Sequence, residues 1–315
     1  MKRVASFLSG LALTASMGSL ARAVDKRPSV SEELSPVKVI TAKARDGHVT
    51  RAVVRYPKSR GKLPAVFLTH GGFTEWSLDQ LKKAANEQPL PAYYLAAGYI
   101  TVVGTWRTYQ DDPQSPGALW DCAALIEAVK TLPQVDPASV VAWGGSGGGS
   151  LVLELAGETD LAAVGVWEPG AILYSGLLTK DLRGPNGERV GGGPIFADPA
   201  KYFTARQRQL TREKLGKIRC PVLVTHGDVH AMKKLNFEYF LPELMGAGKK
   251  VTISIYPGMP HGLFWYSDEG RIEKVQRAFE ETERFFRRFL PTQPVPLERS
   301  EVQWVPDPPG HGVKN

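Results

Sequence analysis

Short apolar runs alternate with longer amphipathic segments along most of the chain. Asp46 and Gly47 separate two strand-like stretches, residues 37–44 and 49–56, and such a pair is typical of a hairpin turn. Six further runs are short and apolar throughout, which is typical of strands that are buried on both faces of a sheet. These runs cover residues 65–69, 100–104, 140–143, 162–167, 222–225 and 251–256.

Helical patterns separate the apolar runs. The clearest lies in residues 272–289, where Ile272, Val275, Phe279 and Phe286 repeat at helical spacing. Because strands alternate with helices, the pattern predicts an α/β fold. We expect a mostly parallel eight-stranded sheet with helices on both faces.

The first 23 residues have the composition of a secretory signal peptide. Lys2 and Arg3 precede a mostly apolar run, and Ala21 and Ala23 place small residues before a cleavage point. The run is short and interrupted by Ser, Thr and Gly, which disfavours a retained membrane-spanning helix. We therefore expect export, to the periplasm or the medium if the source is bacterial, without stable insertion in a membrane.

The alternation of strands and helices weakens in two places. Residues 171–217 include loop chemistry rich in Gly and Pro, and we expect a variable, lid-like segment there. Beyond residue 290 the chain becomes rich in Pro, which predicts an extended or disordered tail over residues 291–315. These limits predict one domain over residues 24–290.

The composition is that of a soluble globular protein. Of 315 residues, 43% are hydrophobic and 23% are charged, and the formal net charge is +7. No dense run of Lys and Arg contains interleaved aromatic residues, which argues against a nucleic acid partner. Cys122 and Cys220 are predicted to be buried free thiols, although an oxidising compartment would also permit a disulfide. Their positions do not suggest a metal site.

The stretch VVAWGGSGGGS, residues 140–150, places Ser146 among five glycines between a predicted strand and a predicted helix. Residues 144–148 fit Gly-x-Ser-x-Gly, a turn that projects a nucleophilic serine above the sheet. Glycines are needed there because the strand and the helix pack too closely for a Cβ. The spacing does not fit a dinucleotide fingerprint or a phosphate loop. On its own, the pattern also permits a merely tight turn.

Two other stretches supply what a serine nucleophile needs. The sequence HGGF, residues 70–73, follows a predicted strand. It is typical of a loop whose backbone N–H groups bind an oxyanion together with the N–H of Gly147. His261 lies on a glycine-flanked loop after the last predicted strand of the sheet, later in the chain than Ser146, where a histidine can act as general base.

Four aromatic residues fall on loops above the same predicted sheet edge. Trp76, Trp106, Tyr109 and Phe264 either line an acyl or aromatic pocket or are plain packing. His70 belongs to a His-Gly turn after a strand, and we interpret it as a loop support. The sequence does not choose between these roles for the aromatic residues.

Three stretches in this order, VDPASVVAWGGSGGG, PVLVTHGD and YPGMPHG, resemble α/β-hydrolases. The chain is most similar to dienelactone-hydrolase-like proteins and to the catalytic domain of prolyl-oligopeptidase-type peptidases. The resemblance covers residues 36–290. It implies the α/β-hydrolase fold and a serine hydrolase, but it is not specific for a substrate.

The resemblance also implies roles for particular residues. Ser146 would attack a carbonyl carbon, and His261 would relay the proton. Gly147, with Gly72 or Phe73, would hold the oxyanion. No metal and no cofactor are implied.

Two departures from these families bear on the substrate. Dienelactone hydrolases proper carry Cys where this chain has Ser146, and the peptidases carry a propeller domain where this chain has only a short segment. We therefore expect hydrolysis of small carboxylic esters. The alternatives are cleavage of short peptides or amides, and a non-catalytic binding protein on a hydrolase scaffold.

The sequence does not decide which carboxylate orients His261. In the relatives it is an Asp three residues after the Gly of the turn that ends the PVLVT strand, and here that position holds His230. Glu168 ends the preceding strand, close enough to reach the histidine, and Asp228 lies on the same loop as His230 but two residues early. We favour Glu168, then Asp228, then a weakened or absent acid.

Overall fold

The computed structural model of the chain describes residues 26–58, 61–109, 111–182, 191–261 and 269–306. The predicted signal peptide, residues 307–315 of the predicted tail, and Phe264 lie outside these ranges. All eight predicted strands are present. The strands are β1 (Lys26–Ser29), β2 (Lys38–Lys43), β3 (Val49–Arg55), β4 (Leu63–Thr69), β5 (Ile100–Gly104), β6 (Val135–Gly145), β7 (Ala163–Trp167), β8 (Val222–Val229), β9 (Val251–Pro260) and β10 (Gln303–Pro306).

Helices occupy most of the connections between the strands, and the helix predicted near the C-terminal end of the domain is present as α11. The helices are α1 (Leu78–Glu87), α2 (Pro89–Ala96), α3 (Gly117–Lys130), α4 (Gly147–Glu158), α5 (Ala171–Tyr174), α6 (Gly192–Ala197), α7 (Pro199–Tyr202), α8 (Ala205–Gly216), α9 (Lys233–Leu235), a π-helical turn (Asn236–Phe240), α10 (Leu241–Gly246) and α11 (Glu269–Arg287). The predicted lid-like segment therefore contributes α5 to α8.

The sheet has the strand order β2-β3-β5-β4-β6-β7-β8-β9. β3 is antiparallel to both of its neighbours, whereas the strands from β5 to β9 in this order are parallel. The predicted mostly parallel, eight-stranded α/β sheet is confirmed. Because parallel strands end at the same edge, the loops that follow β4, β6, β7, β8 and β9 emerge side by side, where α/β sheets bind ligands.

Hydrophobic cores lie on both faces of the sheet. Along β6, Val140 and Ala142 pack into the core beneath α3 and α4, while Val141 and Trp143 pack into the core beneath α2 and α11. This alternation follows from the two-residue period of a strand. It also explains why the run is apolar throughout, since helices cover both faces.

The chain after α11 is extended and bonded to the domain as far as the structure describes it. Thr292 donates its N–H to Ser139 Oγ at 2.9 Å and its hydroxyl to Asp136 Oδ2 at 2.6 Å. The N–H of Leu297 donates to the carbonyl oxygen of Ala96 at 2.9 Å. Finally, β10 pairs antiparallel with β1.

Both cysteines are buried free thiols, as the sequence predicts. Burial raises the pKa of the Cys122 and Cys220 thiols, which keeps them protonated at neutral pH. Among the helices within the described ranges, none combines the length and the apolar composition that crossing a membrane requires.

Candidate active site

Ser146 occupies the turn between β6 and α4, with φ 54° and ψ −122°, a conformation that side-chain-bearing residues rarely adopt. The glycines around it are required by crowding. A Cβ on Gly144 would overlap the hydroxyl oxygen of Thr69. A Cβ on Gly148 would overlap the carbonyl oxygen of His70. Close packing between strand and helix therefore explains the glycine run.

The backbone of Ser146 is fixed to its surroundings by three hydrogen bonds. Its N–H donates to the carbonyl oxygen of Trp167, the last residue of β7, at 3.0 Å. Its own carbonyl oxygen accepts from the N–H of Gly170 at 2.8 Å and from the N–H of Ser150 at 3.2 Å. These bonds stabilise the strained turn and link it to the neighbouring strand.

His261 follows β9 directly and faces the serine. Its Nε2 lies 3.1 Å from Ser146 Oγ, and 38% of its side chain is exposed. A neutral imidazole that carries its proton on Nδ1 accepts a hydroxyl proton at Nε2. This is the geometry of a general base and its nucleophile.

Glu168, the residue after β7, is fully buried and has φ 46°. Its Oε2 lies 2.9 Å from Nδ1 of His261, although off the N–H direction of the ring. Its Oε1 accepts a hydrogen bond of 3.0 Å from the N–H of Gly227. Both oxygens of the buried carboxylate therefore have polar partners, as a buried charge requires. The contacts therefore form one line in space, from Ser146 to His261 and from His261 to Glu168.

The carboxylate of Asp228, the other predicted acid, binds the backbone of β9. Its Oδ1 accepts a hydrogen bond of 2.6 Å from the N–H of Gly258, in the bend of β9 that precedes His261. Gly258 has φ +75°, so the carboxylate stabilises a left-handed turn. Of the two candidate acids, the structure brings Glu168 to the histidine and assigns Asp228 to the turn before it.

The three residues predicted for the oxyanion hole lie beside the serine. Gly147 begins α4, so its N–H has no acceptor within the helix. A Cβ on Gly147 would lie 2.5 Å from the carbonyl oxygen of Gly72 and 3.3 Å from its nitrogen, which shows how closely the two glycines approach. The N–H groups of Gly72 and Phe73 donate to none of the residues that the structure describes. These donors are therefore available to an oxyanion.

A family match covers more than half of the chain. Residues 116–290 match the prolyl oligopeptidase family. The chain belongs to this family. The predicted α/β-hydrolase superfamily and the predicted serine hydrolase are confirmed by the match. No curated protein matches the chain.

Solved structures share the fold of this prolyl oligopeptidase family member. An esterase from the archaeon Pyrobaculum calidifontis is 20% identical, with a TM-score of 0.57 over 79% of this chain and 84% of that chain. A thermostable esterase from Pseudomonas putida ECU1011 is 18% identical, with a TM-score of 0.58 over 83% and 85%. Carboxyl esterase 2 from the fungus Tuber melanosporum is 16% identical, with a TM-score of 0.58 over 82% and 88%. At these identities the likeness shows the α/β-hydrolase fold.

A second histidine borders the acid in this family member. Nδ1 of His230 accepts the N–H of Met232 at 3.1 Å, so the neutral ring carries its proton on Nε2. That Nε2 lies 3.7 Å from Oε1 of Glu168. Burial lowers the pKa of His230 to about 4, which keeps the ring neutral at pH 7. The sequence marks His230 as unable to replace the acid, and it gives no sign of this contact.

The site also contains a group of side chains that could hold a metal ion. Each of Glu168, His230 and His261 offers one ligand atom within 4.8 Å of the other two. A metal on Nε2 of His230 would move the proton to Nδ1, which faces the N–H donor of Met232. Histidines that bind metals direct their second N–H to an acceptor instead. His230 therefore does not suit the role of a metal ligand, and its Nε2 lies within hydrogen-bond distance of Nδ1 of His226, at 3.3 Å.

The ring of His70 packs against aromatic side chains and does not take part in the line of contacts at Ser146. Its ring lies between the indoles of Trp76 and Trp106, with ring centroids 4.1 and 3.7 Å away. Nδ1 donates to the carbonyl oxygen of Gly71 at 2.8 Å, and burial lowers the pKa of the ring to about 4. His70 therefore supports the loop in neutral form, and Trp76 and Trp106 pack against it.

Proposed function

We propose that this member of the prolyl oligopeptidase family hydrolyses carboxylic esters through an acyl-enzyme intermediate. The observation that carries the proposal is the line of contacts from Ser146 Oγ through the imidazole of His261 to the buried carboxylate of Glu168. A nucleophile, a base within reach and a third group beside the base are the parts that acyl transfer needs.

In the first half of the reaction, His261 Nε2 takes the hydroxyl proton as Ser146 Oγ bonds to the ester carbonyl carbon. The imidazolium that forms lies beside the carboxylate of Glu168, which stabilises its charge. The carbonyl oxygen becomes an oxyanion and accepts hydrogen bonds from Gly147 and from Gly72 or Phe73. The intermediate then expels the alkoxide, which takes the proton from His261.

In the second half, water replaces the alcohol. His261 takes a proton from that water as its oxygen bonds to the acyl carbon, and the same oxyanion donors hold the charge. The acyl–oxygen bond to Ser146 then breaks, and the serine recovers its proton from the imidazolium. A carboxylic acid is released and the enzyme is unchanged.

The choice of esters is supported by the solved structures that share the fold, since the three described above are named as esterases. The family match favours a second candidate, cleavage of peptide bonds, because the matching family is that of prolyl oligopeptidase. We expect kcat/KM for a p-nitrophenyl ester to exceed that for the matched p-nitroanilide by orders of magnitude. Comparable rates on a prolyl or acyl-peptide anilide would transfer the proposal to the peptidase.

The deciding experiment combines fluorophosphonate labelling with hydrolysis of short p-nitrophenyl esters. We expect the wild type to label and to turn over, and Ser146→Ala to do neither. Ser175→Ala is the matched control, since Ser175 is a buried serine whose hydroxyl has no partner among the described residues. A wild type that neither labels nor hydrolyses any ester would instead favour a non-catalytic binding protein.

We also propose that the protein is exported, with cleavage after Ala23. The support is the charged start, the apolar run and the small residues at Ala21 and Ala23. Mass spectrometry of the protein from its native host should find Val24 at the N-terminus. Cytosolic protein that retains Met1 would contradict this.

A further inference from the structure

The loop after β5 lies along the loop that carries the oxyanion donors. We call residues 105–109 the brace loop and residues 70–76 the oxyanion loop. Five hydrogen bonds join them. The Tyr109 hydroxyl donates to the Gly72 carbonyl and the Tyr109 N–H to the Phe73 carbonyl. The Glu75 N–H donates to the Thr108 hydroxyl, the Trp76 N–H to the Thr105 hydroxyl, and the Thr105 hydroxyl to Nε2 of His70. The two loops therefore behave as one unit.

Tyr109 makes the two bonds that lie nearest to the serine. Its hydroxyl donates to the Gly72 carbonyl oxygen at 3.1 Å, and its N–H donates to the Phe73 carbonyl oxygen at 3.1 Å. Its ring packs edge-on against the ring of Phe73, with centroids 5.4 Å apart. Tyr109 is only 7% exposed, so little water competes for these bonds.

The bond to the Gly72 carbonyl controls the direction of an N–H group. The carbonyl of Gly72 and the N–H of Phe73 belong to one planar trans peptide, so they point in opposite directions. Gly72 has φ +83° and lacks a Cβ, which leaves this peptide free to rotate unless a contact stops it. The Tyr109 hydroxyl is such a contact. By holding the carbonyl, it fixes the direction of the Phe73 N–H.

The brace loop is itself anchored by a charge network. Arg107 donates its backbone N–H and its Nε to Oδ2 of Asp121 at 2.8 and 3.0 Å, and its Nη2 to Oδ1 at 2.6 Å. Asp121 lies on α3 and is fully buried. The same guanidinium binds Asp46 in the β2–β3 hairpin and lowers the pKa of that carboxyl to about 2. The Asp46 carboxylate therefore stays charged across the physiological pH range.

We propose that Tyr109 is a positioning residue, which holds the peptide between Gly72 and Phe73 in the orientation that stabilises the oxyanion. Arg107 and Asp121 hold the brace loop in place for this task. The inference rests on the proposed function, because an oxyanion forms only if the site transfers acyl groups. It adds a residue outside the line of contacts that Ser146, His261 and Glu168 form.

The test removes only the hydroxyl group. Tyr109→Phe keeps the ring against Phe73 and the backbone bond to its carbonyl, but frees the Gly72 carbonyl. Misdirected oxyanion donors weaken binding of the transition state and not of the ground state. We therefore expect kcat on a p-nitrophenyl ester to fall about tenfold with KM within twofold. Inactivation by a fluorophosphonate should slow by a similar factor.

Tyr94→Phe is the matched control. Tyr94 lies on α2, is fully buried, and its hydroxyl has no hydrogen-bond partner among the described residues. We expect its kcat to equal that of the wild type. The melting temperatures of both variants should lie within about 2 °C of the wild type, which would exclude a general loss of structure.

A second variant tests the anchor. Arg107→Lys keeps the positive charge but loses the planar fork that meets both oxygens of Asp121. We expect a smaller loss of kcat than for Tyr109→Phe, again with an unchanged KM. Combined with Tyr109→Phe, it should add less than its single effect, because both changes release the same loop.

Two results would overturn the inference while leaving the proposed function intact. In one, the wild type hydrolyses esters and Tyr109→Phe retains more than half of its kcat. In the other, Tyr109→Phe raises KM with kcat unchanged, which would make Tyr109 a substrate contact. A wild type that neither labels nor hydrolyses would overturn the proposed function and this inference together.

Discussion

Two strained turns lie side by side at the carboxyl edge of the sheet. Ser146 follows β6 with φ 54°, and Glu168 follows the neighbouring strand β7 with φ 46°. Among the residues that the structure describes, they are the two that have a side chain and a left-handed φ. Both carry a group of the proposed catalytic line. The turns differ in what holds them.

The turn at Ser146 is held by crowding in addition to its backbone hydrogen bonds, whereas the turn at Glu168 is held by buried polar contacts. At the first, strand and helix approach so closely that Gly144 and Gly148 have no room for a Cβ. At the second, the N–H of Glu168 donates to the carbonyl of Thr225 at 2.8 Å, and its carboxylate accepts from Gly227. Strain that comes from crowding leaves glycines in the sequence, whereas strain held by hydrogen bonds leaves no such mark.

The largest effect is expected from removing the charge at the second turn. Glu168→Gln keeps the size of the side chain, but a neutral amide cannot stabilise an imidazolium at His261 in the same way. We expect kcat to fall about a thousandfold or more with the fold intact. Glu283→Gln, at a buried glutamate that pairs with Arg287, is the control and should retain full activity. More than a tenth of wild-type kcat in Glu168→Gln would remove that residue from the mechanism.

Crowding at the first turn can be tested without touching the catalytic groups. In Gly148→Ala, the new Cβ would overlap the carbonyl oxygen of His70, and that backbone has little room to move. Overpacking of this kind costs roughly 2–3 kcal/mol of unfolding free energy. Gly216→Ala, with nothing within 4 Å of its Cβ, should leave the stability unchanged or higher. Denaturant unfolding of the two variants measures the difference, and equal stabilities would refute the crowding argument.

The same contrast explains which parts of the fold and of the candidate site could be predicted from the sequence. The eight strands, the serine and the histidine could be predicted because apolar runs, a glycine turn and a glycine-flanked histidine are local signals. The choice between Glu168 and Asp228 depends on two strand pairings. The pairing of β7 with β8 places the Gly227 N–H at the carboxylate of Glu168, and the pairing of β8 with β9 places Gly258 at that of Asp228. No local pattern encodes that register. The contacts of Tyr109 could not be predicted from the sequence for the same reason.

A smaller effect, on the pH dependence of stability, is expected from His70 in the oxyanion loop, whose carbonyl oxygen lies against Gly148 at the first turn. The ring of His70 is buried between two indoles, and its pKa is lowered to about 4 from an ordinary 6.5. The unfolded chain therefore binds a proton first, so stability is lost as the pH falls from 6.5 towards 4. The loss is about 2 kcal/mol at pH 5. In His70→Gln, the fall in unfolding free energy between pH 7.5 and 5 should shrink by that amount, and an unchanged fall would show that His70 is not responsible.

The smallest effect is expected at Asp228, and it completes the comparison. If Asp228 only holds the turn at Gly258, Asp228→Asn keeps a carbonyl oxygen for that N–H. We expect kcat to stay within about threefold of wild type, since a hydrogen bond to a neutral acceptor is weaker than one to a charged acceptor. Asp228→Ala removes the acceptor and should cost more, because the turn that places His261 loses its partner. A larger loss in Asp228→Asn than in Glu168→Gln would reverse the ranking and assign the orientation of His261 to Asp228, and the buried glutamate would then be the structural residue of the two.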